Sequence, residues 1–148
     1  MKYTIVKTYD PHKFKFFMAY CYESDPEFIE KYVMGRPATI QEMVERAMMD
    51  LGDTSKMVMF TIFDKKELVG YFIKDRNYLS GFFIMDKYRN KEVFHKFWRI
   101  VRSKYDGSIY CGLFELNTRG ISFIKRTGFK YDREIMVRDE KCFVYKLN

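Results

Sequence analysis

Residues 117–129 of the 148-residue chain, NTRGISFIKRTGF, carry the clearest structural pattern in the sequence. Asn117 can accept hydrogen bonds from the free N–H groups at a helix start, and Gly128 can adopt the left-handed conformation that ends a helix. Ile121 and Ile124 lie three residues apart between these ends, as expected on the inner face of a helix. The stretch therefore predicts a capped helix over residues 117–127, followed by a strand that begins near Phe129.

The segments before this helix alternate between extended and helical patterns. Strands are expected over residues 2–8, 56–63, 68–74, 78–85 and 108–114, with a hairpin turn at residues 64–67. Helices are expected after Asp10-Pro11, after Asp25-Pro26 (a short one that Gly35 ends), after the capping box Thr39–Glu42, and over residues 91–104. Gly81 lies inside a predicted strand and indicates a bulge or a close backbone approach.

Two further strands are expected near residues 129–137 and 142–147, with a turn at residues 138–141. With the short helix set aside, the order of elements is β-α-α-β-β-β-α-β-α-β-β. This order predicts an α/β fold with a mixed central β-sheet flanked by helices. The length of the chain and the absence of a linker or repeat predict a single domain over residues 1–148.

The element order, together with residues 84–98 and 117–129, resembles the GNAT superfamily, the Gcn5-related N-acetyltransferases. The family implies acetyl-CoA as cofactor, bound where a loop leads into a helix and glycines let backbone N–H groups approach the pyrophosphate. By this resemblance, the cofactor-binding positions would be Phe83, Ile84, Arg89, Asn90, Lys91 and Asn117. The resemblance thus predicts both a fold and a location for a cofactor.

The loop at residues 86–94, DKYRNKEVF, departs from the family pattern Arg/Gln-x-x-Gly-x-Gly/Ala. Arg89 is present, but Glu92 and Phe94 occupy the two positions that the family fills with small residues. Both side chains would crowd the phosphates, and the Glu92 carboxylate would repel them. Weak binding of acetyl-CoA, or none, is therefore expected.

The position of the tyrosine with which many GNAT enzymes protonate the leaving thiolate is Ile124 here, and Ile124 cannot transfer a proton. Tyr110, Cys111, Glu115 and Ser122 lie close to it in sequence. Glu115, at the end of a predicted strand, is the best candidate for a catalytic general base. The tyrosine and the cysteine alternate along a strand, where one of each such pair is normally a core residue.

Residues 94–131 are also similar to small GNAT-like internal virion proteins of short-tailed bacteriophages. These proteins keep the helix that begins with Asn and ends with Gly, and they carry basic residues around the cofactor loop. The resemblance implies a virion-associated or assembly protein that retains the fold without the reaction. Its location would be the host cytoplasm or the virion, and its partners would include other virion proteins.

Positive charge is confined to the second half of the chain. Residues 1–74 hold 11 basic and 11 acidic residues, whereas residues 75–148 hold 16 basic and 9 acidic residues. Between Lys87 and Lys104 there are seven basic residues and one acidic residue, Glu92. Clustered charge of this kind attracts nucleic acid or an acidic protein. The predicted contact surface consists of Lys91, Lys96, Arg99 and Arg102, and the alternative is an ordinary solvated helix face.

Cysteine and histidine usage argues against a disulfide scaffold and against a metal-binding protein. The three cysteines are widely spaced and unpaired in pattern, which predicts reduced thiols in a cytoplasmic setting and no disulfide scaffold. The two histidines cannot supply a ligand cluster, so no metal is expected. The longest apolar run, at residues 57–63, is too short to cross a bilayer, and no membrane partner is expected.

The function predicted from these patterns is a GNAT-fold protein with a degraded acyl-CoA site that serves in binding or assembly. The alternative is a divergent acetyl-CoA-dependent N-acetyltransferase whose loop near Arg89 binds the cofactor in an altered way. A third hypothesis, a nucleic-acid-binding module, depends only on the basic second half.

Overall fold

The computed structural model of the chain describes residues 2–148. It contains a seven-stranded sheet in the order β1-β2-β3-β4-β5-β7-β6. The strands are β1 (Tyr3–Thr8), β2 (Met57–Asp64), β3 (Glu67–Asp75), β4 (Tyr78–Ile84), β5 (Ile109–Phe114), β6 (Lys130–Val137) and β7 (Glu140–Leu147). Neighbouring strands are antiparallel except β4 and β5, which are parallel. The predicted α/β class with a mixed sheet is confirmed.

Five α-helices connect the strands. They are α1 (Pro11–Ser24), α2 (Pro26–Ile29), α3 (Ile40–Leu51), α4 (Lys91–Ser103) and α5 (Thr118–Arg126). The short α2 continues into a π-helical segment, Glu30–Met34, which ends at Gly35 with a φ of 74°. A 3-10 turn, Asp86–Tyr88, leads from β4 toward α4.

The helix starts follow from local sequence chemistry. The Asp10 Oδ1 atom accepts a hydrogen bond from the His12 N–H at 2.9 Å, and Pro11 begins α1. Thr39 and Glu42 form a reciprocal capping box at the start of α3. Because each cap satisfies free N–H groups with a side chain only two or three residues away, these boundaries were predictable.

The helices form two layers on opposite faces of the sheet. α1, α2 and α3 cover one face, with Phe14, Met18, Cys21, Ile29 and Met43 buried against strand residues that include Met59, Tyr71 and Phe83. α4 and α5 cover the other face, with Val93, Phe97, Val101, Phe123 and Ile124 buried against strand residues that include Phe60, Ile62, Phe72 and Ile109. The side chains of β2 and β3 alternate between the two cores, as the pleat requires.

Gly81 lies at an irregularity in the pairing of β3 with β4. The partner of Ile73 is Gly81, whereas the partner of Lys74 is Leu79, so β4 carries one extra residue. This bulge was predicted from the glycine, and it lies beside the boundary between β4 and β5.

Within residues 2–148, no helix is long and apolar enough to cross a membrane.

Candidate functional site

β4 and β5 are neighbours that share one paired position, Tyr78 with Tyr110. The Tyr110 N–H donates to the Asn77 carbonyl at 2.9 Å, and the Tyr105 hydroxyl donates to the Tyr78 carbonyl at 2.9 Å. All of these contacts lie at the amino ends of the two strands. Toward their carboxyl ends the ladder is not continued, and the sheet is split there.

A cavity of about 530 Å³ occupies this split. Residues 79–84 of β4 and 111–114 of β5 form its walls. The layer of α1 to α3 contributes Met18, Tyr22, Phe28, Tyr32 and Asp50, and the layer of α4 and α5 contributes Phe94, Asn117, Arg119, Gly120 and Phe123. The cavity therefore reaches both faces of the sheet, and side chains from both helical layers line it.

Arg89 is fixed in the wall of this cavity by contacts at two ends of its guanidinium. Its Nε–H donates to the Ile84 carbonyl at 2.8 Å, and one terminal nitrogen lies 2.6 Å from the Asp25 carboxylate. The guanidinium also lies 4.7 Å from the ring centre of Phe28 and 5.0 Å from that of Phe83. The side chain thus points toward the junction of α1 and α2, where it is 17% exposed.

The N-termini of α4 and α5 are capped by asparagines. The Asn90 Oδ1 atom accepts from the Val93 N–H at 3.0 Å, and the Asn117 Oδ1 atom accepts from the Gly120 N–H at 2.9 Å. Both helix starts therefore use a side-chain oxygen of their own to satisfy a free N–H group.

Aromatic side chains fill the space between these two helices beside the cavity. The Phe123 ring on α5 lies 5.3 Å from the Phe94 ring on α4 and 5.3 Å from the Phe82 ring on β4. Phe82, Phe94 and Phe123 all line the cavity. The gap between the helices is thus packed with hydrocarbon rather than lined by backbone.

Two tyrosine hydroxyls pair on the side of the cavity formed by α1 to α3. The hydroxyls of Tyr22 and Tyr71 are hydrogen-bonded at 3.0 Å, and both side chains are buried. Burial raises the pKa of both phenols above the ordinary value, because a buried phenolate would lose its hydration. Both hydroxyls are therefore protonated at neutral pH.

An ion network includes Asp50, which lines the same side of the cavity. The Arg46 Nε–H donates to the Asp50 carboxylate at 3.1 Å, and another Arg46 nitrogen lies 2.8 Å from the Glu140 carboxylate. Arg138, in the turn between β6 and β7, also binds Asp50. The guanidiniums of Arg46 and Arg138 lie 5.3 Å and 6.0 Å from the Phe114 ring centre. The network ties α3 to the C-terminal hairpin over the end of β5.

Cys111 is the thiol in the wall of β5. It is 2% exposed, and burial raises its pKa to about 12. A thiol with this pKa is almost entirely protonated near neutral pH, and it is a poor nucleophile in that state.

The predicted cofactor-binding residues separate into two groups. Phe83, Ile84, Arg89 and Asn117 line the cavity, whereas Asn90 and Lys91 lie outside its wall. Lys91 is the exposed first residue of α4. Contact of any of these residues with a cofactor stays a prediction.

The predicted general base, Glu115, lies outside the cavity wall. Its side chain is 65% exposed, and its carboxylate lies 3.9 Å from the Lys141 ammonium. Ile124, at the position of the family tyrosine, is fully buried. Of the other residues near it in sequence, Ser122 is exposed on α5 and Tyr110 is half-buried with its ring 5.4 Å from that of Tyr78.

Three of the four predicted surface cations, Lys91, Arg99 and Arg102, are exposed on α4. The fourth, Lys96, is half-buried and lies 3.3 Å from the Glu92 carboxylate one helical turn earlier. The helix therefore contains one mixed-sign pair four residues apart, and the remaining cations lie on the side away from the core.

Sequence reasoning missed the acidic partner of Arg89. The sequence predicts Asp25 only as the residue before a short helix, and its Oδ1 atom accepts from the Phe28 N–H at 3.4 Å. Its second oxygen binds Arg89, 64 residues away in the chain. No local sequence pattern indicates a contact between residues so far apart in the chain. The pairing of Asp50 with Arg138, 88 residues apart, was missed for the same reason.

Solved structures superpose on this chain over almost its whole length. An acetyltransferase from Thermus thermophilus superposes with a TM-score of 0.70 at 17% identity, covering 99% of this chain and 97% of that one. A GNAT-family protein from Desulfovibrio desulfuricans superposes with a TM-score of 0.61 at 12% identity, covering 99% of each chain. The chain has the GNAT fold.

A third structure with the GNAT fold is the spermidine N-acetyltransferase of Vibrio cholerae in complex with CoA and spermine. It superposes with a TM-score of 0.59 at 12% identity, covering 98% of this chain and 94% of that one. No protein-family model matches the sequence, and no curated protein matches it. The fold predicted from residues 117–129 and the element order is thus confirmed by structural similarity.

Within residues 2–148, no group of three or more His, Cys, Asp and Glu side chains could hold a metal ion.

Proposed function

We propose that this chain is a GNAT-fold protein that does not transfer acyl groups and serves instead in binding or assembly. The observation that carries the proposal is the position of Arg89. In the family this loop meets the pyrophosphate of acetyl-CoA, but here its arginine is bound to Asp25 and to the Ile84 carbonyl. An arginine that already has a carboxylate and a carbonyl as partners gains little from a phosphate.

The rest of the loop does not fit the phosphates either. Glu92 brings a carboxylate to the first turn of α4, where a bound pyrophosphate would need to approach free N–H groups. Phe94 extends toward Phe123 and takes up space between α4 and α5. A cradle for phosphate needs a close approach to the backbone, which small residues at these two positions would favour.

Several titratable side chains that line the cavity are poorly placed for proton transfer. The hydroxyls of Tyr22 and Tyr71 bind each other and are held protonated by burial. Cys111 is protonated as well. Asp50 is bound by two arginines, and Asp75 lies 3.2 Å from Arg76. General base catalysis needs a group whose pKa is near the working pH and whose lone pair is free.

The test is a calorimetric titration of the protein with acetyl-CoA, paired with thermal unfolding in its presence. We expect no saturable binding in the low micromolar range and no rise in Tm, because a ligand that binds the folded state must stabilise it. The Glu92→Gly/Phe94→Gly double variant is the comparison, and any affinity for acetyl-CoA should be higher in it. Saturable micromolar binding by the unmodified protein would contradict the proposal.

The alternative function is a divergent acetyl-CoA-dependent N-acetyltransferase. The cavity of about 530 Å³ between β4 and β5 favours it, because this volume lies within the range of small-molecule sites. The discriminating measurement is release of free CoA thiol from acetyl-CoA in the presence of polyamine and peptide amines. Turnover above the rate without protein would support the enzyme, and its absence would support the binding role.

The biological setting that we propose for the binding role is a phage particle. It is supported by the similarity of residues 94–131 to GNAT-like internal virion proteins of short-tailed phages. Mass spectrometry of purified particles from the source phage is the test, and the chain should copurify with the particle in constant ratio to its structural proteins. Its complete absence from washed particles would exclude this setting.

A further inference from the structure

The two helical layers of the molecule carry charges of opposite sign. Residues 10–53, which form the layer of α1 to α3, hold nine acidic and five basic residues, a net charge of −4. Residues 91–104 and 118–126, which form the layer of α4 and α5, hold eight basic residues and one acidic residue, a net charge of +7. The sheet therefore separates a positive face from a negative one.

Most of the cations on the positive face are free of carboxylates. Six basic side chains are exposed and have no carboxylate within 4.0 Å in residues 2–148: Lys91, Arg99, Arg102, Arg119, Lys125 and Arg126. The one acidic side chain of this layer, Glu92, is paired with Lys96 at 3.3 Å. Unpaired like charges repel one another, so a partner that neutralises them would stabilise the surface.

The cations lie on two neighbouring helices. On α4, Lys91, Arg99 and Arg102 share one side of the helix and extend over about 16 Å, at a rise of about 1.5 Å per residue. α5 lies beside α4 because Phe94 contacts Phe123 at 5.3 Å and Trp98 contacts Phe129 at 5.4 Å. The positive surface thus extends from the outer side of α4 to the edge of the cavity, where Arg119 and Arg126 lie.

We propose that this surface, the exposed cations of α4 and α5, binds the phosphate backbone of double-stranded nucleic acid. A duplex presents one negative charge about every 1.7 Å along its axis, which supplies a dense row of phosphates over the length of α4. Four of the six cations are arginines, whose planar guanidinium binds phosphate oxygens in pairs. The inference names a partner for the proposed binding role. Arg119 and Arg126 of this surface also line the cavity, whereas Lys91, Arg99, Arg102 and Lys125 lie outside its wall.

One feature of this surface favours a duplex over a single strand, and a second excludes recognition of bases by Asn or Gln side chains. The aromatic side chains of α4 turn toward the core, with Phe97 at 1% exposure, so this surface offers no platform on which unpaired bases could stack. α4 and α5 contain no Asn or Gln, the side chains that read adenine by paired hydrogen bonds. The contacts should therefore be to phosphate and nearly independent of sequence.

The test is fluorescence anisotropy of a labelled duplex of about 30 base pairs, titrated with the protein at about 50 mM and 200 mM salt. Six phosphate contacts predict that affinity falls about 10³-fold between these concentrations, since binding releases condensed counterions. Two unrelated duplex sequences should bind within about threefold of each other. A salt-independent affinity, or no binding at the lower salt concentration, would overturn the proposal.

The Arg99→Glu/Arg102→Glu variant should lose at least tenfold in affinity at the lower salt concentration. The matched control is Lys13→Glu/Lys15→Glu, which makes the same change in net charge on exposed residues of α1. The control should bind as the unmodified protein does, within about threefold, and circular dichroism checks that both variants are folded. Equal losses in the two variants would mean that only net charge matters and would overturn the surface assignment.

Competition separates this surface from the alternatives. Unlabelled duplex should displace the labelled duplex, whereas acetyl-CoA and an acidic polypeptide such as polyglutamate should not do so at micromolar concentration. Displacement by acetyl-CoA would overturn this inference and contradict the proposed function as well. Displacement by polyglutamate alone would indicate an acidic protein as the partner and overturn the duplex proposal while leaving the proposed function intact.

Discussion

At the scale of single residues, Arg89 connects parts of the chain that are distant in sequence. Its partners come from three parts of the chain. These are the end of β4 with the Ile84 carbonyl and the Phe83 ring, the Asp25 cap between α1 and α2, and the Phe28 ring on α2. Charge-assisted hydrogen bonds of this kind are stronger than neutral ones and hold both groups in one geometry. The loop before α4 is thereby fixed to the opposite helical layer.

We expect Asp25→Asn to lower the free energy of unfolding by about 1.5–3 kcal/mol, the usual contribution of a hydrogen bond to a charged group. The loss follows because Arg89 would keep its position with its charge only partly compensated. The measurement is urea denaturation followed by circular dichroism.

Asp86→Asn is the matched control for this change. Asp86 lies 3.4 Å from the same guanidinium, but its side chain is 69% exposed. Exposed ion pairs contribute little, so the control should change stability by less than about 0.5 kcal/mol. Equal effects of the two substitutions would show that the pair of Asp25 with Arg89 is not special.

The buried thiols predict a stability that declines in alkali. Burial raises the pKa of Cys21 and Cys111 from the ordinary value of 9.0 to about 12. The folded protein then holds two protons that the unfolded chain loses above pH 9, so the free energy of unfolding falls as pH rises from 9 toward 12. Each thiol contributes a slope of up to about 1.4 kcal/mol per pH unit in this range.

Thiol titration with a chromogenic disulfide checks the same property directly. At pH 8 the native protein should react slowly, and three thiols should react at once in guanidinium chloride. A thiol that reacts rapidly and stoichiometrically in the native protein would contradict the assigned burial.

At the scale of elements, the sequence predicts what is local and misses what is distant. The helix starts at Asp10, Thr39 and Asn117 depend on contacts within one helical turn, and all three were correctly predicted. Phe123 was missed as a core residue, although it lies beside the predicted inner position Ile124. The split between β4 and β5 could not be predicted, because it depends on which strands become neighbours.

Phe97 is the largest fully buried side chain on α4. Phe97 is 1% exposed, and its ring lies 6.0 Å from that of Phe72 on β3. Phe97→Ala should lower the free energy of unfolding by about 3–5 kcal/mol, since it removes hydrocarbon and leaves a cavity. Chemical denaturation measures the change.

The control on the same helix is His95→Ala. His95 is exposed, so its loss should change the free energy of unfolding by less than about 0.5 kcal/mol. A small effect of Phe97→Ala, comparable to that of the control, would mean that the inner face of α4 is wrongly assigned.

At the scale of the whole molecule, the segregation of charge should make stability depend on salt. The six unpaired cations of α4 and α5 repel one another at low ionic strength, and salt screens this repulsion. We expect Tm to rise between about 0.01 M and 0.2 M sodium chloride, by about 2–4 °C for each kcal/mol of repulsion removed. Thermal unfolding followed by circular dichroism is the measurement.

The Arg99→Glu/Arg102→Glu variant should show a smaller rise in Tm over the same range, because its positive layer is already partly neutralised. A Tm that falls with salt in the unmodified protein would instead mean that attractive ion pairs, such as those of Asp50, dominate the electrostatic free energy. The sign of the salt effect therefore distinguishes the two contributions.

The single paired position between β4 and β5 has a consequence for how the chain can be divided. Asp106 and Gly107 lie exposed just before β5. Cleavage between them would separate the paired position of β4 with β5 and leave every other strand pairing within one fragment. In the fragment from residue 107 onward, β5, β7 and β6 remain hydrogen-bonded to one another. This fragment packs against the rest of the chain through apolar side chains such as Ile109, Phe123 and Phe129. Two separately synthesised fragments should consequently reassemble on mixing, which would make this fold a split reporter of molecular proximity.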